Sequence, residues 1–214
     1  MYIKSIAKLL LASLPFWGVA LGVSSCVNET DDEWDPYYDW AARNQVWYSQ
    51  VADSARTAIA QAKAAYGDEW KQHCDWRMER SLQRSEYAGG PLTDSVCIHI
   101  RERGEGVASP LYTDTVSLCY RGWIMATQYE GPNNSFVYGR KIFSETYSGA
   151  YNPLVAKPIK MVVKQTVEGF STALQYMVEG DVWDVYIPAD LAYGEKASDA
   201  IPAYSTLLFR IHLK

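Results

Sequence analysis

The C-terminal segment 185-VYIPADLAYGEKASDAIPAYSTLLFRIHLK-214 decides the fold of this chain. It contains two Ile-Pro dipeptides, Ile187-Pro188 and Ile201-Pro202, and each lies beside an apolar run that is typical of a strand. Between them, a Leu-Ala-Tyr-Gly corner ends at Gly194, which tolerates backbone conformations that are closed to other residues. The segment therefore predicts a strand, a corner with its loop, and a last strand over "STLLFRIHL".

The period-two alternation of β-strands begins upstream, at Asp94. Strands are predicted for "SVCIHIRERGEG", "DTVSLCYRGWIM", "PIKMVVK" and "VWDVYIP". Residues 128–156 are rich in Gly, Asn, Tyr and Ser, so we expect a long loop or a bulged strand there. "TVEGFSTALQYM" is helical instead, because its apolar residues share one helix face: Val167, Phe170, Ala173, Leu174 and Met177. One short helix among antiparallel strands indicates an α+β fold.

A helical segment over residues 36–66 precedes this pattern. Pro36 suits a first turn and Gly67 suits a C-cap. The apolar stripe of this helix consists of Trp40, Trp47, Val51, Ala55, Ala58, Ala62 and Ala65. We expect the stripe to pack on the chain's own domain, and a homodimer through helix 36–66 is the alternative. Residues 68–92 fit either a second short helix or a strand with alternating Trp76, Met78, Arg80 and Leu82.

Residues 1–25 have the pattern of an export signal. Lys4 and Lys8 flank the start of an apolar run, and Val23-Ser24-Ser25-Cys26 resembles the lipobox of bacterial lipoproteins, in which Cys26 is acylated. An ordinary signal peptide or an uncleaved anchor is the alternative. Residues 26–35 form an acidic tether, which resembles a surface-export signal of Bacteroidota lipoproteins or is a plain spacer. We therefore expect a lipid-anchored protein of the bacterial cell envelope, at the outer membrane, periplasmic or surface-exposed.

Charge argues against one class of partner. Residues 1–25 hold two lysines and no acidic residue, so removing them changes the formal net charge from −5 to −7. An acidic chain without a run of Lys or Arg is not expected to bind nucleic acid.

Most catalytic signatures are absent from the sequence. There is no phosphate-binding or dinucleotide-binding glycine motif and no Cys/His spacing for a metal, so we predict no cofactor and no metal. "GFSTA" lacks the second glycine of a nucleophile elbow, and Ser171 is therefore interpreted as a helix-start residue. Beyond Cys26 the cysteines are Cys74, Cys97 and Cys119, and Cys97 can pair with Cys119 only if their strands are neighbours.

Several spaced motifs follow one another along residues 94–214. They are Tyr120-x-Gly122, Ile142-Phe143, Thr166-Val167-x-Gly169-Phe170, Met177-x-x-Gly180, "IPADLAYG" and "IPAYSTLLF". In this order they resemble the FKBP-type peptidyl-prolyl cis-trans isomerases. The resemblance implies an antiparallel sheet wrapped around one short helix. Together with the export signal and the helical segment, it divides the chain into a signal peptide (1–25), a tether (26–35), an N-terminal helical extension (36–92) and an isomerase domain (93–214).

The resemblance further implies a pocket between helix and sheet that binds the prolyl ring of polypeptide substrates. The phenol of Tyr193 would donate a hydrogen bond to one substrate carbonyl, and the backbone N–H of Val167 to another. With these two, Phe170 as the floor and Phe209 form the catalytic set. The resemblance assigns substrate contacts to Tyr120, Phe143, Ser144, Ile159, Thr166 and Ile201.

Three positions depart from the family pattern. Ser144 stands where many members have an Asp that forms a hydrogen bond in the pocket, Phe170 replaces a Trp, and Ile159 replaces a common aromatic residue. The sequence therefore predicts an isomerase of X-Pro bonds in exported proteins, with reduced activity. The alternative is a catalytically weak or inactive FKBP-like lipoprotein that binds peptides or acts as a chaperone.

Overall fold

The computed structural model describes residues 35–84, 90–130, 133, 135–198 and 200–214. The predicted signal peptide, the lipidation site Cys26 and all of the predicted tether except Asp35 lie outside the described residues. Asp35–Lys214 forms one compact unit. The boundary expected at residue 92, between the extension and the isomerase domain, stays a prediction.

In the part of the chain that the structure describes, seven strands form one antiparallel sheet. They are β1 (Trp76–Arg80), β2 (Ser95–Glu102), β3 (Thr115–Glu130), β4 (Phe136–Glu145), β5 (Ile159–Val162), β6 (Val182–Ile187) and β7 (Leu207–Leu213). Their order is β1-β2-β6-β7-β3-β4, and β5 also pairs with β3. The predicted α+β fold, with its antiparallel sheet, is confirmed.

The helices are α1 (Trp40–Tyr66), α2 (Trp70–His73) and α3 (Glu168–Leu174), with short 3-10 turns at Gly67–Glu69, Leu92–Asp94, Val163–Gln165 and Ala189–Leu191. Helix α1 begins four residues after Pro36, because Asp39 adopts a left-handed conformation with φ of 49°. Gly67 ends the helix as predicted, with φ of 53° and its N–H donating to the carbonyl of Lys63. Residues 68–92 contain both predicted alternatives, since α2 precedes β1.

The two faces of the sheet are covered by different helices. On one face, here called the cavity face, α3 packs against Val96, Val185 and Ile187. A Cβ on Gly169 of α3 would lie 2.3 Å from Cγ2 of Ile187, so glycine is required for this close approach. The other face, here called the outer face, carries α1. Because side chains alternate along a strand, each strand contributes to both layers.

Helix α1 packs on its own sheet, as expected. Its buried residues are Trp40, Asn44, Tyr48, Ala52, Ala55 and Ala62. This face is rotated from the predicted stripe, and Ala65 is exposed while Trp47 and Val51 are half-buried. The buried face differs from the prediction because it includes Asn44 and Tyr48. Their polar groups form hydrogen bonds with Thr206, just before β7, and with Ser95 of β2, and a search for apolar residues does not detect such positions.

Residues 128–156 are more ordered than a long loop. Strands β3 and β4 pair from Arg121–Glu145 as far as Glu130–Phe136, with register shifts between Gly122 and Ala126. These shifts are bulges, one of the two predicted alternatives. After β4 the chain is irregular until β5, and Tyr151 stacks on His212 of β7 at 3.7 Å between ring centroids.

The cysteines and possible metal ligands give no further cross-link among the described residues. Cys74, Cys97 and Cys119 are buried free thiols. The considered Cys97–Cys119 pair is wrong, because β6 and β7 separate β2 from β3 in the sheet. No group of His, Cys, Asp and Glu side chains in the described part is arranged to hold a metal ion. None of the described helices has both the length and the apolar character that crossing a bilayer requires.

Candidate active site

A cavity of about 730 Å³ opens between α3, the cavity face of the sheet and the loop before β7. Its lining residues are Tyr120, Phe143, Ser144, Lys160, Met161, Val162, Gln165, Thr166, Val167, Phe170, Tyr193, Ser198, Ala200, Ile201 and Phe209. The strands supply the lining because residues two apart share a face, as Tyr120 and Gly122 do on β3. Helix α3 supplies Phe170 from its first turn.

Four aromatic rings form the deep end of the cavity. Phe209 lies at their centre, with ring centroids 4.9 Å from Phe170, 5.4 Å from Phe143 and 5.9 Å from Tyr120. The contacts with Phe170 and Phe143 are edge-to-face, at interplanar angles of 84° and 87°. This geometry is favourable for aromatic pairs and holds each ring in one orientation. The result is a rigid apolar floor, which here is called the aromatic cage.

Gly122 makes the aromatic cage possible. A Cβ at this position would lie 2.7 Å from Cζ of Phe143 and 2.8 Å from Cε1 of Phe209. Both distances are below 3.0 Å, which is too short for a non-bonded contact of a Cβ atom. A side chain at residue 122 would therefore displace both rings. The glycine of the Tyr-x-Gly motif therefore has a packing role in this chain.

Ser144 keeps a hydrogen bond in the cavity. Its Oγ lies 2.7 Å from the phenol oxygen of Tyr120, on the neighbouring strand. Loss of the acidic residue that many family members have here was expected to remove such a bond. The serine hydroxyl retains a contact of normal length and leaves the cavity without a charge at this point.

The two polar groups predicted to contact a substrate border the same cavity. Val167 is the N-cap residue of α3, and among the described residues its backbone N–H has no acceptor. Its neighbour Thr166 donates its hydroxyl to the carbonyl of Val163 at 2.8 Å, which fixes the turn before the helix. Tyr193 is 46% exposed, so solvent and ligands can reach its phenol.

Gly194 adopts a left-handed conformation with φ of 57°, which places Tyr193 at the edge of the cavity. The Gly194 N–H donates to the carbonyl of Ala189 at 2.9 Å, and its own carbonyl accepts from the N–H of Tyr204 at 2.7 Å. The corner predicted from the sequence is thus closed on both sides by backbone hydrogen bonds.

The loop after the corner forms one wall. Ser198 and Ile201 exchange backbone hydrogen bonds of 2.8 and 3.2 Å, and this small bridge presents Ser198, Ala200 and Ile201 to the cavity.

The first turn of α3 is fixed by residues of the N-terminal extension. The carboxylate of Glu168 accepts hydrogen bonds from Ser81 at 2.6 Å and from the guanidinium of Arg84 at 2.8 and 3.0 Å. An acidic residue in the first turn also interacts favourably with the helix dipole. The segment that carries Val167 is therefore held from outside the cavity.

One predicted contact residue lies elsewhere. Ile159, at the start of β5, does not line the cavity and is 38% exposed, whereas Met161 and its neighbours Lys160 and Val162 do line it. The pairing of β5 with β3 sets this position, with Ile159 opposite Leu118 and Met161 opposite Val116. Gln165, Ser198 and Ala200 were also missed, because residues that line a cavity from a turn or loop have no period in the sequence.

The lining limits the chemistry of the cavity. Among its described lining residues there is no carboxylate, imidazole or thiol, so the serine and threonine hydroxyls have no carboxylate or imidazole base to activate them, and Lys160 is the charged residue of the lining. The cavity offers instead an apolar cage, hydroxyl groups and an unpaired backbone N–H at its edge. Such a site binds an uncharged ring and donates hydrogen bonds to nearby carbonyl groups.

Comparisons with known proteins point to one family. The family model described as "FKBP-type peptidyl-prolyl cis-trans isomerase" matches residues 108–214, half of the chain. The chain is 35% identical over 115 residues to the outer membrane protein MIP of Legionella longbeachae, covering 53% of this chain and 41% of that protein. It is 32% identical over 111 residues to FK506-binding protein 1 of Aspergillus oryzae, covering 52% of this chain and 89% of that protein.

Two further similarities extend into the N-terminal half. The FKBP-type 22 kDa peptidyl-prolyl cis-trans isomerase of Escherichia coli is 29% identical over 164 residues, which cover 76% of this chain and 65% of that protein. A crystal structure of a peptidyl-prolyl cis-trans isomerase from Pseudomonas syringae aligns with 77% of this chain and 92% of its own, at 22% identity and a TM-score of 0.43. The chain spans 41% of the length of the Legionella protein and 65% of the Escherichia coli protein.

Proposed function

Because this chain belongs to the FKBP-type peptidyl-prolyl cis-trans isomerase family, we propose that it catalyses the cis-trans isomerisation of X-Pro bonds in exported polypeptides. One observation carries the proposal. The aromatic cage, the Tyr193 phenol and the free Val167 N–H all border a single cavity. The cage fits a prolyl ring, and the two donors fit the carbonyl groups on either side of it.

The chemistry needs no nucleophile. Rotation about an X-Pro bond is opposed by amide resonance, with a barrier of about 18–20 kcal/mol. A twisted amide has lost that resonance and is less polar than a planar one. Transfer from water into an apolar cavity therefore costs the twisted amide less free energy than it costs the planar one. A site that binds the twisted amide more tightly than the planar one accelerates rotation by differential binding.

Each part of the site has a proposed role in this step. Phe170 and Phe209 hold the prolyl ring and exclude water, while Tyr120, Phe143 and Ile201 form the walls. The Val167 N–H holds one substrate carbonyl, and the phenol of Tyr193 donates to another. Ser144 orients Tyr120 through their 2.7 Å contact, and Thr166 fixes the turn before Val167. Every lining residue lies in the proposed isomerase domain, residues 93–214.

The test is prolyl exchange measured by NMR on a short Phe-Pro peptide with the full chain in detergent. We expect faster exchange, and a loss of about fivefold to tenfold in Tyr193→Phe, which removes one hydrogen bond to the amide. Tyr176→Phe is the matched control, because Tyr176 is similarly exposed but lies outside the cavity. An equal loss in both variants, or no acceleration by the unchanged chain, would contradict the proposal.

The second candidate is a binding module that retains the cavity without turnover. The observation that favours it is Phe170 at the floor, because a phenyl ring fills less of the cavity than the Trp common in the family. Peptide line broadening or shifts without faster exchange would identify this alternative.

We further propose that the protein is a lipid-anchored member of the bacterial envelope, with Cys26 as the acylated residue after removal of residues 1–25. The lipobox-like Val23-Ser24-Ser25-Cys26 supports this, and so does the similarity to the outer membrane protein MIP of Legionella longbeachae. Metabolic labelling with an alkyne fatty acid tests it, since Cys26→Ala should lose the label while Cys74→Ala keeps it. An unchanged chain without label would point to an ordinary signal peptide, and a label that survives Cys26→Ala would place the acylation at another residue.

The buried face of α1 lies on its own sheet, which supports a monomer over the homodimer through helix 36–66. Light scattering over a concentration series distinguishes the two, because the mass of a monomer does not change with concentration.

A further inference from the structure

The start of α1 is hydrogen-bonded to the segment that leads from the cavity loop into β7. The indole Nε1–H of Trp40 donates to Oγ of Ser205 at 2.8 Å. Oδ1 of Asn44 accepts from the backbone N–H of Thr206 at 2.8 Å, and the carbonyl of Asn44 accepts from the Thr206 hydroxyl at 3.4 Å. These bonds join residues more than 160 positions apart in the sequence.

These contacts are buried and specific. Asn44 is 1% exposed and Thr206 is 2% exposed. The Asn44 side chain is also satisfied at its other end, because Nδ2 donates to the carbonyl of Trp40 at 2.8 Å. A buried amide with both ends bonded has one orientation, so Asn44 sets where the Thr206 backbone lies relative to α1.

The bonds continue to the cavity wall. Ser205 donates its hydroxyl to the carbonyl of Pro202 at 2.6 Å, and Pro202 directly follows the wall residue Ile201. Thr206 directly precedes β7, which carries Phe209 at the centre of the aromatic cage. The chain from Trp40 to Ser205 to Pro202 therefore connects α1 on the outer face with the cavity on the other face.

The segment between these points is strained. Tyr204 adopts a left-handed conformation with φ of 60°, which a residue with a Cβ disfavours. Such a conformation persists only where neighbouring contacts hold it. Its N–H bonds to Gly194 on one side, and the α1 contacts hold Ser205 and Thr206 on the other.

We propose that Trp40 and Asn44 are positioning residues for the prolyl cavity, acting through Ser205 and Thr206 on Ile201 and Phe209. This inference rests on the proposed function, since it assigns the α1 residues a part in the isomerase site. The N-terminal helix is then a component of the active site's support, and the catalytic residues keep their geometry only while it is docked.

Asn44→Ala in the full chain is the central test, with Tyr48→Phe as the matched control. Both variants remove hydrogen bonding between α1 and the sheet region, but the Tyr48 hydroxyl donates to the carbonyl of Ser95 and accepts from the thiol of Cys97, away from the cavity. Three quantities are measured in each variant: the melting temperature, kcat/KM for prolyl exchange, and the hydrogen-exchange rate of the Thr206 amide.

We expect both variants to melt at lower temperature. Asn44→Ala should lose about tenfold in kcat/KM, within the roughly 100-fold that a displacement of about 1 Å in an active site can cause. Its Thr206 amide should exchange about tenfold faster or more, because its acceptor is gone. Tyr48→Phe should keep kcat/KM within about twofold and leave the Thr206 exchange unchanged. Equal losses of kcat/KM in both variants would mean that the loss follows from lower overall stability and not from the position of Thr206, and this would overturn the inference.

Trp40→Phe gives an independent reading, because it keeps an aromatic ring in place and removes only the Nε1–H donor. We expect a shifted or broadened methyl resonance of Ile201 in this variant and an unshifted one in Tyr48→Phe. This readout needs no enzymatic activity. If the unchanged chain does not accelerate prolyl exchange, the proposed function fails. An Ile201 resonance that still responds to Trp40→Phe would show, even then, that α1 positions the wall of the cavity. An Ile201 signal and a Thr206 amide that do not respond would overturn the inference alone.

Discussion

The two faces of the sheet differ in how they are stabilised. The cavity face is an apolar layer of aromatic and branched residues against α3, and its cavity is bordered by hydroxyl groups, the Gln165 amide and the ammonium of Lys160. The outer face, which also carries α1, holds buried ionised side chains. There Asp184 is 2% exposed and lies 2.7 Å from both Arg101 and Arg210.

Two ionisable side chains of the outer face have shifted pKa values. Burial alone would raise the pKa of Asp184, but hydrogen bonds and charge from Arg210 and Arg101 lower it below its ordinary value. Burial, together with the charges of Lys214 and Arg210, lowers the pKa of His212 to about 4. The sheet thus separates an aromatic face that forms the cavity from a face with buried ionisable groups, whose contribution is to stability. Variants of the two faces should therefore have different consequences.

The largest effect is expected on the cavity face, from Phe170→Ala. Phe170 is 3% exposed and contacts both Tyr120 and Phe209, so its removal leaves a hole in the aromatic cage. Chemical denaturation should show a loss of about 3–5 kcal/mol in the free energy of unfolding. Prolyl exchange should fall with it, because the floor of the site is gone.

Leu154→Ala is the control for this substitution. Leu154 is 91% exposed, and its truncation should change stability by no more than about 0.5 kcal/mol. If the Phe170→Ala variant stays folded and accelerates prolyl exchange as much as the unchanged chain, the aromatic cage is not required for catalysis.

On the outer face, Arg210→Met should lower stability without lowering catalysis. The substitution leaves the buried carboxylate of Asp184 with Arg101 alone. We expect a loss of about 2–3 kcal/mol, less than the about 3–5 kcal/mol for a fully buried pair, because Arg101 remains and the Arg210 side chain is 39% exposed.

Arg56→Met is the control, since its ion pair with Asp53 is exposed on both sides and should contribute less than about 1 kcal/mol. The value of kcat/KM for the folded fraction should be unchanged in both variants. A loss of kcat/KM in Arg210→Met alone would show that the two faces are coupled through β7.

The cavity face was the more predictable of the two from sequence. Tyr120, Phe143, Phe170 and Phe209 lie in motifs whose spacing matches the strands and helix that carry them, and all four line the cavity. The prediction for Ile159 was wrong in placement, because the register of β5 against β3 is a tertiary property.

Several features of the rest of the fold could not be predicted from the sequence, for physical reasons. Burial of Asn44 on α1 is invisible to an apolar period, since its amide is stabilised by a partner 162 residues away. Cys97 and Cys119 were considered as neighbours because strand order is not encoded locally. Residues 128–156 lack apolar alternation, yet β4 forms there because it pairs with the long β3.

The stability of the outer face should also depend on pH through His212. Its folded pKa of about 4 lies below the ordinary value of 6.5, so between these pH values the unfolded chain binds a proton that the folded chain does not. Stability is therefore fully present above pH 6.5 and decreases as the pH falls toward 4. We expect a loss of about 1–2 kcal/mol by denaturation at pH 7 and pH 4.5, allowing for partial solvent screening of the ring.

His212→Phe should flatten this dependence while keeping an aromatic ring stacked on Tyr151. The same acid-dependent loss in the Phe variant would assign the effect to other groups, such as Asp184, whose contribution should disappear only below the ordinary pKa of a carboxylate.

The smallest effect tests the hydrogen bond between Tyr120 and Ser144 on the cavity face. Removing either hydroxyl, in Tyr120→Phe or Ser144→Ala, breaks the same 2.7 Å contact and should lower kcat/KM by about twofold to fivefold. Because both variants break one bond, the double variant should lose no more than either alone. Ser144→Asp should keep kcat/KM within about threefold of the unchanged chain, since the serine already supplies the bond that an acidic residue makes in many family members. A much larger gain in Ser144→Asp would mean that a negative charge at residue 144, and not only a hydrogen bond to Tyr120, contributes to catalysis. The missing carboxylate at this position would then be the cause of reduced activity.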